Sequence, residues 1–149
     1  MAWIAQLQGK IVGLDTAPVI YFIEKHTLYI DMVRPFFQAV DKGECSAVTS
    51  TITLLEVLVH PIRHGDTKLA QSYRDLLLDS EGLTTLSLSQ EIAEEAAQLR
   101  AFQSIHVADS IQMATALKEG ASFFLTNDKR LPSLPGLQVL VLDDLKKDQ

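Results

Sequence analysis

Four acids stand where this sequence can do chemistry. Asp15 lies in IVGLDTAPVIYF, directly after a short apolar run. Glu56 lies inside the apolar string ITLLEVLVH, and Asp109 heads the alanine-rich HVADSIQMATAL. Asp128 follows another apolar run in FFLTNDKRL. Gaps of 41, 53 and 19 residues separate the four, so only folding could bring them together. Carboxylates without a partnering cysteine set suit a hard, oxygen-seeking cation, Mg2+ or Mn2+, rather than zinc. Thr16, Thr126 and Asn127, adjacent in sequence to these acids, offer neutral oxygens that can add ligands or orient water.

Each acid also has a plainer reading. Asp15 is well placed to cap the helix that follows it. Thr49, Thr53, Glu56 and His60 fall on one stripe about 60° wide if the segment is an ideal helix, and that stripe either meets solvent or lines a polar cleft. Asp109 with Gln112 three residues on matches a capping-box variant. With a helix start near Val107, Asp109 instead sits beside Met113 and Ala116, and the small residues Ala108, Ala114 and Ala116 would let another backbone approach closely. Asp128 sits in a string that favours a turn. The four histidines form no obvious spaced ligand pair.

The acids need a scaffold, and the hydrophobic pattern supplies one. Strands are expected at Lys10–Leu14, Ser46–Ser50, Leu83–Leu86, Ser122–Thr126 and Leu137–Val141, because these are short runs rich in apolar and β-branched residues. Helices are expected at Thr16–Ile23, Met32–Lys42, Ile52–His60 (stopped by Pro61), Asp66–Asp79, from Ser89 to about Phe102, and Val107–Glu119. A charged tail closes the chain. Apolar strands alternating with helices specify an α/β fold with a mostly parallel sheet of four to five strands, covered on both faces. Ligands of such sheets bind beyond the carboxyl ends of the strands. Asp15 and Asp128 occupy that position.

The bulk properties set limits. With 149 residues, one domain spanning 1–149 is expected. The single cysteine, Cys45, excludes an internal disulfide. No apolar run is long enough for a membrane span, and the first residues carry no signal-peptide pattern; the expected setting is cytoplasmic. The net charge of −6 has the wrong sign for a protein that grips phosphates with lysine and arginine alone. Cations held by gathered carboxylates would remove that objection.

At the four strings quoted above the sequence resembles the PIN-domain family, in particular the VapC-like toxins of bacterial toxin–antitoxin pairs. Asp15-Thr16 matches an Asp-Thr or Asp-Ser after the first strand, and Glu56 a glutamate inside an early apolar helix. Asp109 in ADSIQMATAL matches an acid before an alanine-rich helix, and Thr126-Asn127-Asp128 a string after a late strand. The resemblance runs from Leu14 to Arg130. It departs where many relatives read Leu-Arg-Thr-Pro before the third acid; here Ser104-Ile105-His106-Val107-Ala108 stands. The resemblance implies a three-layer α/β/α sandwich and cleavage of RNA dependent on Mg2+ or Mn2+. It makes Asp15, Glu56, Asp109 and Asp128 the catalytic and metal-holding set, with Thr16, Thr126 and Asn127 in support. Asp15 and Asp109 are expected to hold the first cation, and Glu56 and Asp128 water or a second one. A small antitoxin protein and a homodimer are the implied partners.

Three rivals share parts of this pattern. A catalytically silent module of the same fold would bind RNA or protein without cleaving. A phosphoacceptor receiver domain needs an acidic pair after its first strand, where this chain has Asp15-Thr16. A phosphatase using Asp15 as nucleophile usually has a second acid two residues on, and that position is Ala17.

Overall fold

The structure, a computed structural model, describes residues 1–147; the last two residues of the charged tail lie outside the described part. Five strands form one sheet: β1 (Ile11–Leu14), β2 (Ser46–Ser50), β3 (Leu83–Leu86), β4 (Phe123–Thr126) and β5 (Gln138–Val141). Their order is β3-β2-β1-β4-β5, and every neighbouring pair is parallel. The helices are α1 (Ala2–Ala5), α2 (Thr16–Ile23), α3 (Ile30–Asp41), α4 (Thr51–Arg63), α5 (Thr67–Asp79), α6 (Gln90–Phe102), α7 (Val107–Lys118) and α8 (Leu142–Lys147).

The sheet separates two cores because successive strand residues point to opposite faces. Val12, Leu14, Ala47, Leu125 and Leu140 pack with residues of α2, α3, α4 and α5. Val48 and Phe124 face the other way and pack with Met113 and Ala116 of α7. This is the three-layer α/β/α sandwich expected from the sequence, with the sheet parallel throughout.

Local chemistry starts the helices. Asp15, Ser50, Asp66 and Ser89 are N-caps whose side chains accept hydrogen bonds from Thr16, Ile52, Leu69 and Ile92 backbone N–H groups respectively. Three expectations need correction. Helix α4 does not stop at Pro61 but continues to Arg63. Proline costs one backbone hydrogen bond there, and Val57 and Pro61, one turn apart, are both buried on the packed face of the helix. Thr49 lies in β2, as the strand expected at Ser46–Ser50 has it, and so drops out of the helix stripe. The charged tail forms α8, anchored by the fully buried Leu142.

A side-chain bond ties the end of α2 to α5. The Tyr73 ring is fully buried, and its hydroxyl donates to the carboxylate of Glu24. Burial and the Glu24 charge both push the Tyr73 hydroxyl far above its usual range, so it is a donor at every physiological pH. Tyr73→Phe is expected to cost about 1.5 kcal/mol, the scale of a hydrogen bond to a charged group. A urea melt checks this; an unmoved midpoint would show the bond to be idle.

Candidate active site

Strand order reverses around β1, which lies between β2 and β4, so β1 and β4 are neighbours although far apart in sequence. The carboxyl ends of these two strands form the switch point of the sheet, where an α/β fold leaves a crevice. Asp15 follows β1 and Asp128 follows β4 by two residues. The two loops are stitched together. The Asp15 N–H donates to the Leu125 carbonyl at 3.0 Å. The Thr126 hydroxyl donates to Asp15 Oδ2 at 2.7 Å and accepts from the Asp128 N–H at 3.0 Å.

Asp15 is the helix cap that its sequence position allows. Its Oδ1 accepts from the Thr16 N–H at 2.8 Å as a helix cap, and its carboxylate remains at the mouth of the crevice. Burial raises its pKa above the ordinary value; the Thr126 and Thr16 hydrogen bonds lower it, and the nearby charges of Glu56 and Asp128 raise it further. Its partners are neutral donors, so the negative charge is uncompensated.

Helix α7 brings Asp109 to the same place. The capping-box reading is corrected: His106 is the N-cap, with no side-chain cap bond, and Asp109 lies in the first turn. Gln112 is buried instead of capping. Burial raises the Asp109 pKa, and the charges of Asp15, Asp128 and Glu56 add to the rise while His106 opposes it. Asp109, Asp128, His106 and Arg130 line one small cavity of about 50 Å³.

Glu56 projects from α4 on an exposed surface, and the Thr16 hydroxyl donates to its Oε1 at 2.7 Å. Asp128 is held differently. Arg130 donates to Oδ1 from Nε at 3.0 Å and to Oδ2 from Nη2 at 2.9 Å, and the Arg130 backbone N–H adds a third bond at 2.9 Å. That grip holds the Asp128 carboxyl below its ordinary pKa. The four acids thus share one electrostatic neighbourhood, with Asp15 and Asp109 repelled and Asp128 paired with Arg130. Among the described residues no three acid, histidine or cysteine side chains converge on a single ion position.

The supporting residues divide. Thr16 and Thr126 touch Glu56 and Asp15 directly. Asn127 does not join them: its Nδ2 donates to the Tyr21 hydroxyl at 3.1 Å and its Oδ1 accepts from the Asp143 N–H at 2.9 Å. It clamps α8 to α2. Two features escaped the sequence reading. His106 lies beside Asp109 and Asp128, and only the turn before α7 places it there. The rings of His60 on α4 and of His64 just after it lie with centroids 4.2 Å apart, and the His64 Nδ1 is 3.0 Å from the His60 carbonyl.

A family model described as the PIN domain matches residues 12–137 of the chain. The chain belongs to the PIN-domain family. None of the curated proteins matches it. Solved structures do. A chain of VapBC2 from Rickettsia felis, bound to a DNA fragment from its promoter, superposes with a TM-score of 0.69 at 22% identity, covering 88% of this chain and 98% of that one. A toxin–antitoxin complex from Klebsiella pneumoniae gives 0.65 at 24% identity, with 90% and 98% covered. VapC20 from Mycobacterium tuberculosis, a toxin that cleaves the sarcin-ricin loop, gives 0.61 at 14% identity, with 76% and 86% covered. At these identities the likeness establishes the PIN fold.

Proposed function

We propose that this PIN domain is an endoribonuclease dependent on Mg2+ or Mn2+, and the toxin of a pair whose partner is a small antitoxin protein. One observation carries the reading: Thr126 bonds both Asp15 and Asp128, Asp109 lines one cavity with Asp128, and Thr16, which Asp15 caps, donates to Glu56, so four acids from distant segments gather near the switch point of the sheet, where their charges repel. Repulsion of this kind is costly without a counter-charge, and oxygen-only donors suit a hard divalent cation.

Asp15 and Asp109 would hold the cation, because neither has a cationic hydrogen-bond partner among the described residues. Glu56, oriented by Thr16, would hold and align water. Asp128 would act from the rim, with Arg130 beside it to meet a phosphate. When bound, the cation supplies Lewis acidity: it lowers the pKa of water and offsets phosphate charge. Thr126 keeps Asp15 in place through its hydroxyl, and the buried flank of the crevice limits access of bulk water to Asp15.

The solved relatives named above include toxin–antitoxin complexes, which supports an antitoxin here. Leu55, Val59 and Ile62 form an exposed apolar stripe on α4, which supports a homodimer. No described helix is long and apolar enough to cross a membrane, and a cytoplasmic setting fits that.

The test is cleavage of a mixed RNA pool by purified protein with Mg2+, with Mn2+ and with a chelator. Cleavage that needs the cation supports the reading. A protein that neither binds Mn2+ nor cuts RNA would leave a silent RNA- or protein-binding module.

The raised pKa values of Asp15 and Asp109 add a pH prediction. In the cation-free protein the folded state keeps these protons after the unfolded chain has lost them. Stability from this source is therefore present at low pH and is lost as pH rises from about 4 through the raised folded values. A bound cation removes the penalty. The gain in melting temperature on adding Mn2+ should accordingly widen as pH rises towards neutrality. A gain that is flat with pH would contradict cation binding at these two acids.

A further inference from the structure

Beneath the four acids lies a buried polar cluster that the proposed chemistry does not use. Its centre is Gln112, one turn beyond Asp109 on α7 and only 2% exposed. An amide this deep in a protein is costly unless its donors and acceptor are all matched, and here they are. Oε1 accepts from the Ser50 hydroxyl at 3.0 Å and lies 3.3 Å from the Thr49 hydroxyl. Nε2 donates to Thr53 Oγ1 at 2.7 Å and to Thr16 Oγ1 at 3.3 Å. The side chain thereby joins α7 to α2, to the end of β2 and to α4.

The proton count gives this cluster a direction. The Ile52 N–H donates to Ser50 Oγ at 3.1 Å, which leaves the Ser50 hydroxyl proton free for the Gln112 oxygen. With its oxygen turned to Ser50, the amide must present N–H groups to Thr53 and Thr16. A hydroxyl has one proton to give. A carboxylate only accepts, so the Thr16 proton goes to Glu56 Oε1 at 2.7 Å, and Thr16 can only accept from Gln112. The chain of donors runs from the core to the acid.

We infer that Gln112 is a positioning residue: through Thr16 it fixes the Glu56 carboxylate, and through α7 it fixes the spacing of Glu56 and Asp15 from Asp109. The cation-binding part of this inference rests on the nuclease reading, while the link from Gln112 to Glu56 stands on geometry alone. Gln112→Met keeps the length of the side chain and removes every polar contact. Gln112→Asn keeps the amide but withdraws it by one methylene, short of Thr16.

The experiment measures Mn2+ binding by titration without RNA, then the Mn2+ concentration for half-maximal cleavage, in full-length wild type and both variants. Loss of an orienting partner typically weakens a metal site about 10- to 100-fold, and a shift of at least tenfold in both readings is expected for Gln112→Met, with Gln112→Asn between it and wild type. Folded variants with wild-type Mn2+ binding overturn the proposal for the cation site. If Gln112→Met fails to fold, Gln112→Asn decides alone. Should wild type bind no Mn2+ and cut no RNA, the nuclease reading falls, and a metal-free thermal cycle takes over. Gln112→Asn and Glu56→Gln, singly and together, then report on their coupling: non-additive shifts uphold the link, and additive shifts overturn it.

Discussion

Asp15→Asn is expected to cut cation-dependent RNA cleavage by about 100-fold or more, and to make the cation-free protein more heat-stable than wild type. The first effect follows from position. Asp15 is the acid at the switch point with no cationic hydrogen-bond partner, and a catalytic cation is worth several kcal/mol in the transition state, at a factor of ten per 1.36 kcal/mol or so. The second effect follows from cost. Burial and the charges of Glu56 and Asp128 all penalise the ionised Asp15. Asparagine removes that charge and keeps the oxygen that accepts from the Thr16 N–H, so the cap of α2 survives. Opposite signs in activity and stability are the signature of a residue retained for chemistry. Initial rates over a Mn2+ series and a melt in chelator give both numbers. A variant that cleaves at the wild-type rate removes Asp15 from the site, and one that melts lower than wild type shows that the Thr126 hydrogen bond, which an asparagine Nδ2 cannot accept, outweighs the charge penalty.

The scaffold around Asp15 was readable because its signals are local. The bounds of β2, β3 and α2 follow directly from apolar runs flanked by Ser, Thr and Asp. The four capping residues Asp15, Ser50, Asp66 and Ser89 act within three residues of themselves. Pro61 misled because its effect on α4 depends on what its ring packs against, which sequence does not print. Helix α8 was hidden in Asp143, Asp144, Lys146 and Lys147, charges that read as a tail; its anchor is the single buried Leu142.

The site was readable only in part, for the same reason. The four acids stand at element ends or in apolar helices, and that placement is visible one residue at a time. What they touch is not. Asn127 stands beside Asp128 in sequence, yet its partners, Tyr21 and Asp143, come from α2 and α8. Gln112 looked like half of a capping box, while its four partners belong to β2, α4 and α2. The strand order, which makes β1 and β4 neighbours and so brings Asp15 beside Thr126, is likewise a property of the packed sheet.

Gly13→Ala should expose how tightly that packing is drawn, with an expected loss of about 3 kcal/mol of stability, at the upper end for overpacking by one methyl. Gly13 is the middle of the contact between β1 and α7. A Cβ there would lie 2.5 Å from the Ala116 Cβ and 2.9 Å from the Phe124 Cδ1. The backbone of β1 at Gly13 needs no left-handed geometry, so the glycine is present for space alone. The ring of Phe124 is fully buried and Ala116 is fixed on a packed helix, so β1 and α7 must move apart. Asp15 follows β1 and Asp109 heads α7, so the same movement widens the gap between the two acids proposed to hold the cation. Gly13→Ala should therefore also weaken Mn2+ binding in the fraction that folds. The cause is checked by a second substitution. Ala116→Gly alone costs about 1 kcal/mol in helix propensity. Combined with Gly13→Ala it returns the missing volume, and the double variant should unfold at a higher urea concentration than Gly13→Ala alone. Simple addition of the two losses would mean that the clash is relieved elsewhere, and that the distance between strand and helix is not what Gly13 sets.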